Sequence, residues 1–114
     1  MAHKIGRIES IILRVVSETI SYKVKNPHLG LVTVTDVEVT KDYSYARVFV
    51  SFLGDGDPKK KLAILEEAKG YIRHEVAKNL DIRKIPDLRF IYDDSEHKAN
   101  ELEELLARIR NKKD

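Results

Sequence analysis

The stretch Pro58-Lys59-Lys60-Lys61-Leu62-Ala63-Ile64-Leu65-Glu66-Glu67-Ala68-Lys69-Gly70-Tyr71-Ile72-Arg73-His74-Glu75-Val76-Ala77-Lys78-Asn79-Leu80 carries a helical period with a flaw in its middle. Leu62, Ile64, Leu65 and Ala68, then Ile72, Val76 and Leu80, recur at helical spacings. Asp57 is placed to cap the segment, and Pro58 suits the first helical position, where its missing N–H costs nothing. A glycine inside a helix costs up to about 1 kcal/mol relative to alanine. Ala68-Lys69-Gly70 is therefore read as a bend that makes two helices of the stretch rather than one long one. The fold class depends on what flanks that pair.

Upstream, Gly54-Asp55-Gly56-Asp57 is a turn, with acids that would repel a phosphate. Before it stand two runs rich in β-branched residues. The first is 31–40, where Val32 and Val34 alternate, as do Val37 and Val39, but the pairs are one residue out of phase. A bulge near Thr35-Asp36 would bring both pairs to one face. The second run is 45–52, with Ala46, Val48, Val50 and Phe52 on one face, and Lys41-Asp42-Tyr43-Ser44 turns between the two, so they form a hairpin. Further upstream, Ile5, Ile8, Ile12, Val15, Val16, Thr19 and Ile20 predict an amphipathic helix over 4–24, closed by Asn26-Pro27-His28-Leu29-Gly30. Downstream, Leu88-Arg89-Phe90-Ile91-Tyr92 reads as a third strand. Asp93-Asp94-Ser95 then offers caps for a last helix striped by Ala99, Leu102, Leu105, Leu106 and Ile109, with 110–114 expected to fray. The order helix, strand, strand, helix, helix, strand, helix predicts an α+β domain over 1–114, with helices on one face of a three-stranded sheet.

The chain has 114 residues, the size of one domain, and no cysteine, so neither a disulfide framework nor a thiolate metal site is available. Its polar, basic start and short apolar runs predict a cytoplasmic protein with no membrane span. No phosphate-binding glycine motif is present, and His3, His28, His74 and His97 lack the spacing of a zinc site. No catalytic role and no cofactor are expected.

The net charge is only +2, but 35% of residues are charged. Between Lys59 and Arg89 nine Lys or Arg face five Asp or Glu. Lys69, Arg73, Lys78, Arg83 and Lys84, with backbone near Gly70, could meet an RNA phosphate chain. Tyr43, Tyr45 and Tyr71 could stack on bases. A solvated lysine face and tyrosines at the edge of the core account for the same residues. Periodicity and charge alone leave both readings open.

Five stretches together are more specific: Asn26-Pro27-His28-Leu29-Gly30, 34–42 with 45–50, Ala68-Lys69-Gly70-Tyr71-Ile72-Arg73, 83–90, and Tyr92-Asp93-Asp94-Ser95. In order and spacing they resemble the ribosome-binding factor A family over about residues 5–110. That resemblance implies a type II KH-like fold, in which the usual Gly-x-x-Gly loop is replaced by an Ala-x-Gly kink, here Ala68-Lys69-Gly70. It also implies a factor that binds the free small (30S) ribosomal subunit and its 16S rRNA; the absence of a long apolar edge predicts a monomer. Such a factor assists late maturation, including 5′-end processing, with links to cold growth and to assembly GTPases. A general KH-like binder of single-stranded RNA is the alternative. The resemblance places Ala68 and Gly70 in the kink, Arg73 just after it and Arg83 before the Pro86 turn. Lys69, Lys78 and Lys84 are assigned to RNA on charge alone.

Overall fold

The computed structural model describes residues 3–94 and 105–109. Helix α1 (His3–Tyr22) buries the predicted stripe: Ile8, Ile12, Val15, Val16, Thr19 and Ile20 are all nearly inaccessible. It ends because the N–H groups of Lys23 and Val24 both turn back to the Thr19 carbonyl (2.8 and 3.0 Å). Asn26 then tightens the turn, its Oδ1 accepting from the His28 N–H at 2.9 Å, and Leu29 plugs the core beneath it. Gly30 follows at φ 67°, backbone that a side chain would strain.

Strands β1 (Leu31–Val39) and β2 (Tyr45–Leu53) pair antiparallel, and the register shifts between Val34 and Asp36. This is the expected bulge, and it brings Val34, Val37 and Val39 to the buried face. The Thr40–Ser44 turn between the strands carries Tyr43 at φ 60°. Glu9 on α1 fastens the far end of β1 by accepting from the Val39 N–H at 2.8 Å.

Helix α2 (Pro58–Glu67) begins as expected, with Asp57 accepting from the Lys59 N–H at 2.9 Å and Pro58 in the first turn. Lys61 is buried by its stem; its ammonium lies 5.6 Å from the Phe52 ring centre. Helix α3 (Lys69–Asn79) follows, and β3 (Asp87–Tyr92) pairs parallel to β2. Parallel neighbours need a crossover long enough to span the sheet, and α2 with α3 supplies it. The sheet order is β1-β2-β3, with α1, α2 and α3 on the face that buries Ala46, Val48, Val50, Leu88 and Phe90. Helix α1 lies on β1 and against α3, while α2 lies beside β3. Leu65, Ile72 and Val76 reach the same core from either side of the bend.

The bend differs from the expectation in its cause. It falls at Ala68 (φ −86°, ψ −2°), which ends α2 and opens α3. Gly70 lies inside α3 with no left-handed φ, and a methyl group placed there would meet nothing within 4 Å. The bend therefore does not need glycine; what Gly70 contributes is a bare, open stretch of helix surface. Of the predicted last helix, 105–109 are helical and exposed. Its expected cap at Ser95, its body over 96–104 and the frayed end at 110–114 lie outside the described residues.

Candidate nucleic-acid interface

The predicted cations divide by what each side chain touches. Arg73 projects from α3 onto the segment before β3. Its Nη2 donates to the Ile85 carbonyl at 2.8 Å and its Nε to the Pro86 carbonyl at 3.3 Å, with Asp87 Oδ1 3.3 Å from the same Nε. Arg73 thus fastens the loop that carries Arg83 and Lys84. These bonds use two of the five N–H donors of Arg73, whose side chain stays partly exposed. Arg83 and Lys84 are exposed, and Lys84 Nζ donates to Ser44 Oγ at 3.0 Å. Ser44, Tyr45, Arg73, Arg83, Lys84 and Asp87 surround a hollow of about 440 Å³.

The turn that presents Ser44 to that hollow is held by Asp42. Its carboxylate accepts from the Ser44 N–H at 3.0 Å and from Thr40 Oγ1 at 2.9 Å. These bonds, the Ser44 one foremost, lower its pKa to about 2. The turn that presents Ser44 and Tyr45 is therefore pinned by an ionised group.

A second groove, of about 800 Å³, runs from the helix-free face of the sheet over β3 to the bend. Tyr45, Arg47, Arg89 and Ile91 line it from the sheet, and Glu66 and Lys69 from the helices. Lys69 is paired with Glu66, and Arg47 with Glu38 at 3.7 Å. Arg89 makes no ion pair with any described residue. Its guanidinium carbon instead lies 4.1 Å from the centre of the Tyr45 ring, a cation–π contact. Tyr45 and Asp87 line both hollows, so the two form one track from Lys69 past Arg89 and Tyr45 to Lys84 and Arg83.

Lys78 does not join it. It lies 2.9 Å from Glu75, which Lys23 at the end of α1 also holds. Glu75 is buried and its pKa is lowered to about 2, chiefly by the Lys23 hydrogen bond and then by that of Lys78. The Tyr71 hydroxyl lies 3.4 Å from the same carboxylate, so Tyr71 is exposed but turned to this cluster. Tyr43 packs against the core and lies beside the basic loop. The charge reading counted Arg89 in the basic stretch without assigning it to RNA, and passed over Arg47. Each alternates with buried neighbours, which marks both as pointing away from the helices. Their adjacency follows only from the parallel register, which sets Arg47 opposite Arg89.

A three-stranded mixed sheet, helices on one face and a bent two-helix crossover beside an edge strand define a type II KH-like domain. The family model described as ribosome-binding factor A matches residues 4–106, and the chain belongs to that family. The ribosome-binding factor A of Macrococcus caseolyticus is 42% identical over 114 residues, covering 99% of this chain and all of the relative. The crystal structure of ribosome-binding factor A from Thermus thermophilus superposes with a TM-score of 0.70 at 26% identity, over 77% of this chain and 94% of that one. A Thermus thermophilus ribosome binding factor A homology model, fitted into a cryo-electron microscopy map of a 30S complex, superposes at 0.65 with 26% identity, over 77% and 93% of the two chains.

Proposed function

We propose that this protein is a ribosome assembly factor that binds the free 30S subunit through its 16S rRNA and holds that RNA during late maturation, including processing of its 5′ end, without catalysing a reaction. The observation that carries the reading is the track of Lys69, Arg89, Lys84 and Arg83 on a fold whose Thermus relative has been fitted into a 30S complex. Cations along one surface supply the sequence-independent part of RNA affinity, and the fixed loop and turn supply its position. Of the basic residues assigned from the sequence, Lys69, Arg83 and Lys84 take the phosphate role, with Gly70 as the point of close backbone approach. Arg73 positions the loop, and Lys78 serves the Glu75 cluster. The same reading makes the protein a cytoplasmic monomer that works alongside assembly GTPases and supports growth in the cold.

The test is sedimentation of the purified protein with free small subunits, large subunits and whole ribosomes across a salt series. Co-sedimentation with free small subunits alone, weakening as salt rises, is the expected result. Absence from the small-subunit fraction at every salt concentration overturns the reading.

A further inference from the structure

On the helix-free face of the sheet, the Cα pairing sets Tyr45 opposite Asp87 and Arg47 opposite Arg89. Arg89 therefore reaches diagonally back along the strands to lie against the Tyr45 ring, 4.1 Å from its centre. The other cations near this groove with carboxylate partners are Arg47 with Glu38, Lys69 with Glu66, and Arg73 with Asp87. Arg89 is held by a ring instead. A guanidinium stacked parallel on an aromatic ring would keep one planar face and its N–H edge available. Phosphate recognition needs the edge alone, whereas a nucleobase uses both, stacking on the plane and accepting from the edge. Ile91, on the same face of β3 as Arg89, adds an apolar side chain to the cations of the groove, a contact that a base can use and a phosphate cannot.

We infer that Arg89, seated on Tyr45, is a stacking platform for an unpaired nucleotide, with Arg47 and Lys69 taking the flanking phosphates. The ligand of this part of the track is thus single-stranded RNA with at least one exposed base, rather than a continuous duplex. The inference rests on the RNA-binding reading above. It adds a contact on the helix-free sheet face, whereas that reading needs only the charge of the track. A stacked base cannot stay in an RNA helix, so the platform selects junctions, bulges or ends.

Fluorescence anisotropy with three RNA probes tests this: a single strand of about ten nucleotides, the same strand made abasic, and a blunt-ended duplex with an equal number of phosphates. The full protein is expected to bind the base-bearing strand roughly tenfold more tightly than either control. Arg89→Lys keeps the charge and removes the plane; it is expected to lose that preference while its affinity for the abasic strand stays level. Tyr45→Phe should retain the preference and Tyr45→Leu should lose it, all with unchanged melting temperatures. Equal affinity of the unaltered protein for the base-bearing and abasic strands, or no binding to either, overturns the platform whether or not the variants fold. An Arg89→Lys protein that keeps the preference also overturns it. Sedimentation with small subunits separates the two ideas: a protein that sediments with them but ignores bases retains the assembly role and loses the platform.

Discussion

At the scale of single residues, identical charges do different work because their neighbours differ. Glu75 is a carboxylate inside the protein that meets Lys23 from α1 and Lys78 from its own helix. A buried acid without such partners would favour its neutral form, but here the two ammonium groups favour the anion and lower its pKa from 4.5 to about 2. A lowered pKa means that the ionised group stabilises the fold above its unfolded pKa, and that this contribution is lost as pH falls through the folded one. Glu75→Gln is therefore expected to unfold at a lower urea concentration than the parent at pH 7. The difference should close between about pH 4.5 and about pH 2, as the parent's carboxyl takes up its proton. Urea midpoints measured across that range check it, and a gap that persists at pH 2 would show that packing alone accounts for the difference. Asp42, also lowered to about 2, titrates in both proteins and cancels from the comparison. Lys78, equally cationic in the sequence, is drawn into this cluster and lines neither of the two basic hollows.

At the scale of elements, Arg73 joins α3 to the loop before β3 through the Ile85 and Pro86 carbonyls and the Asp87 carboxylate. Arginine can reach several acceptors at once because its donors form a rigid fork, which lysine lacks. Arg73→Lys is expected to cost about 1–2 kcal/mol of stability, the scale of a charge-assisted hydrogen bond lost or weakened. It should also raise amide exchange at residues 83–87 more than elsewhere and lower affinity for small subunits. Urea denaturation and hydrogen exchange measure the first two effects. Unchanged exchange in the loop together with lost subunit binding would return Arg73 to a direct phosphate role. The bend between α2 and α3 is an element of the same kind. It sits at Ala68, and it allows α2 to lie beside β3 while α3 packs against α1.

At the scale of the whole molecule, a net charge of +2 attracts RNA only weakly, so the arrangement of charge matters more than its sum. Lys69 and Lys84 stand on separate hollows that share Tyr45 and Asp87, whereas Lys59 and Lys60, exposed on α2, line neither. If the track meets phosphate, Lys69→Ala with Lys84→Ala lowers the slope of log affinity against log salt by about 1.5–2, close to one counterion per contact. Lys59→Ala with Lys60→Ala removes the same charge and should leave the slope nearly unchanged. Small-subunit binding across a salt series compares the pairs, and equal losses from both would mean that only bulk charge is sensed.

Much of this architecture is written locally. The helical periods, the Asp57-Pro58 start, the phase slip that demands a bulge, and the alternation that turns Arg47 and Arg89 outward all depend on neighbours a few residues away. The break near Ala68 is expected from Gly70, but the glycine is not what makes it. The resemblance carried by the five motifs supplied the family, which periodicity could not reach. What only the tertiary structure decided are contacts between residues distant in sequence. The parallel register of β3 against β2 puts Arg89 on Tyr45, the packing of α1 against α3 brings Lys23 onto Glu75, and the loop beneath α3 engages Arg73. Each is settled by how the elements bury a shared core, a collective property that no short window of sequence contains.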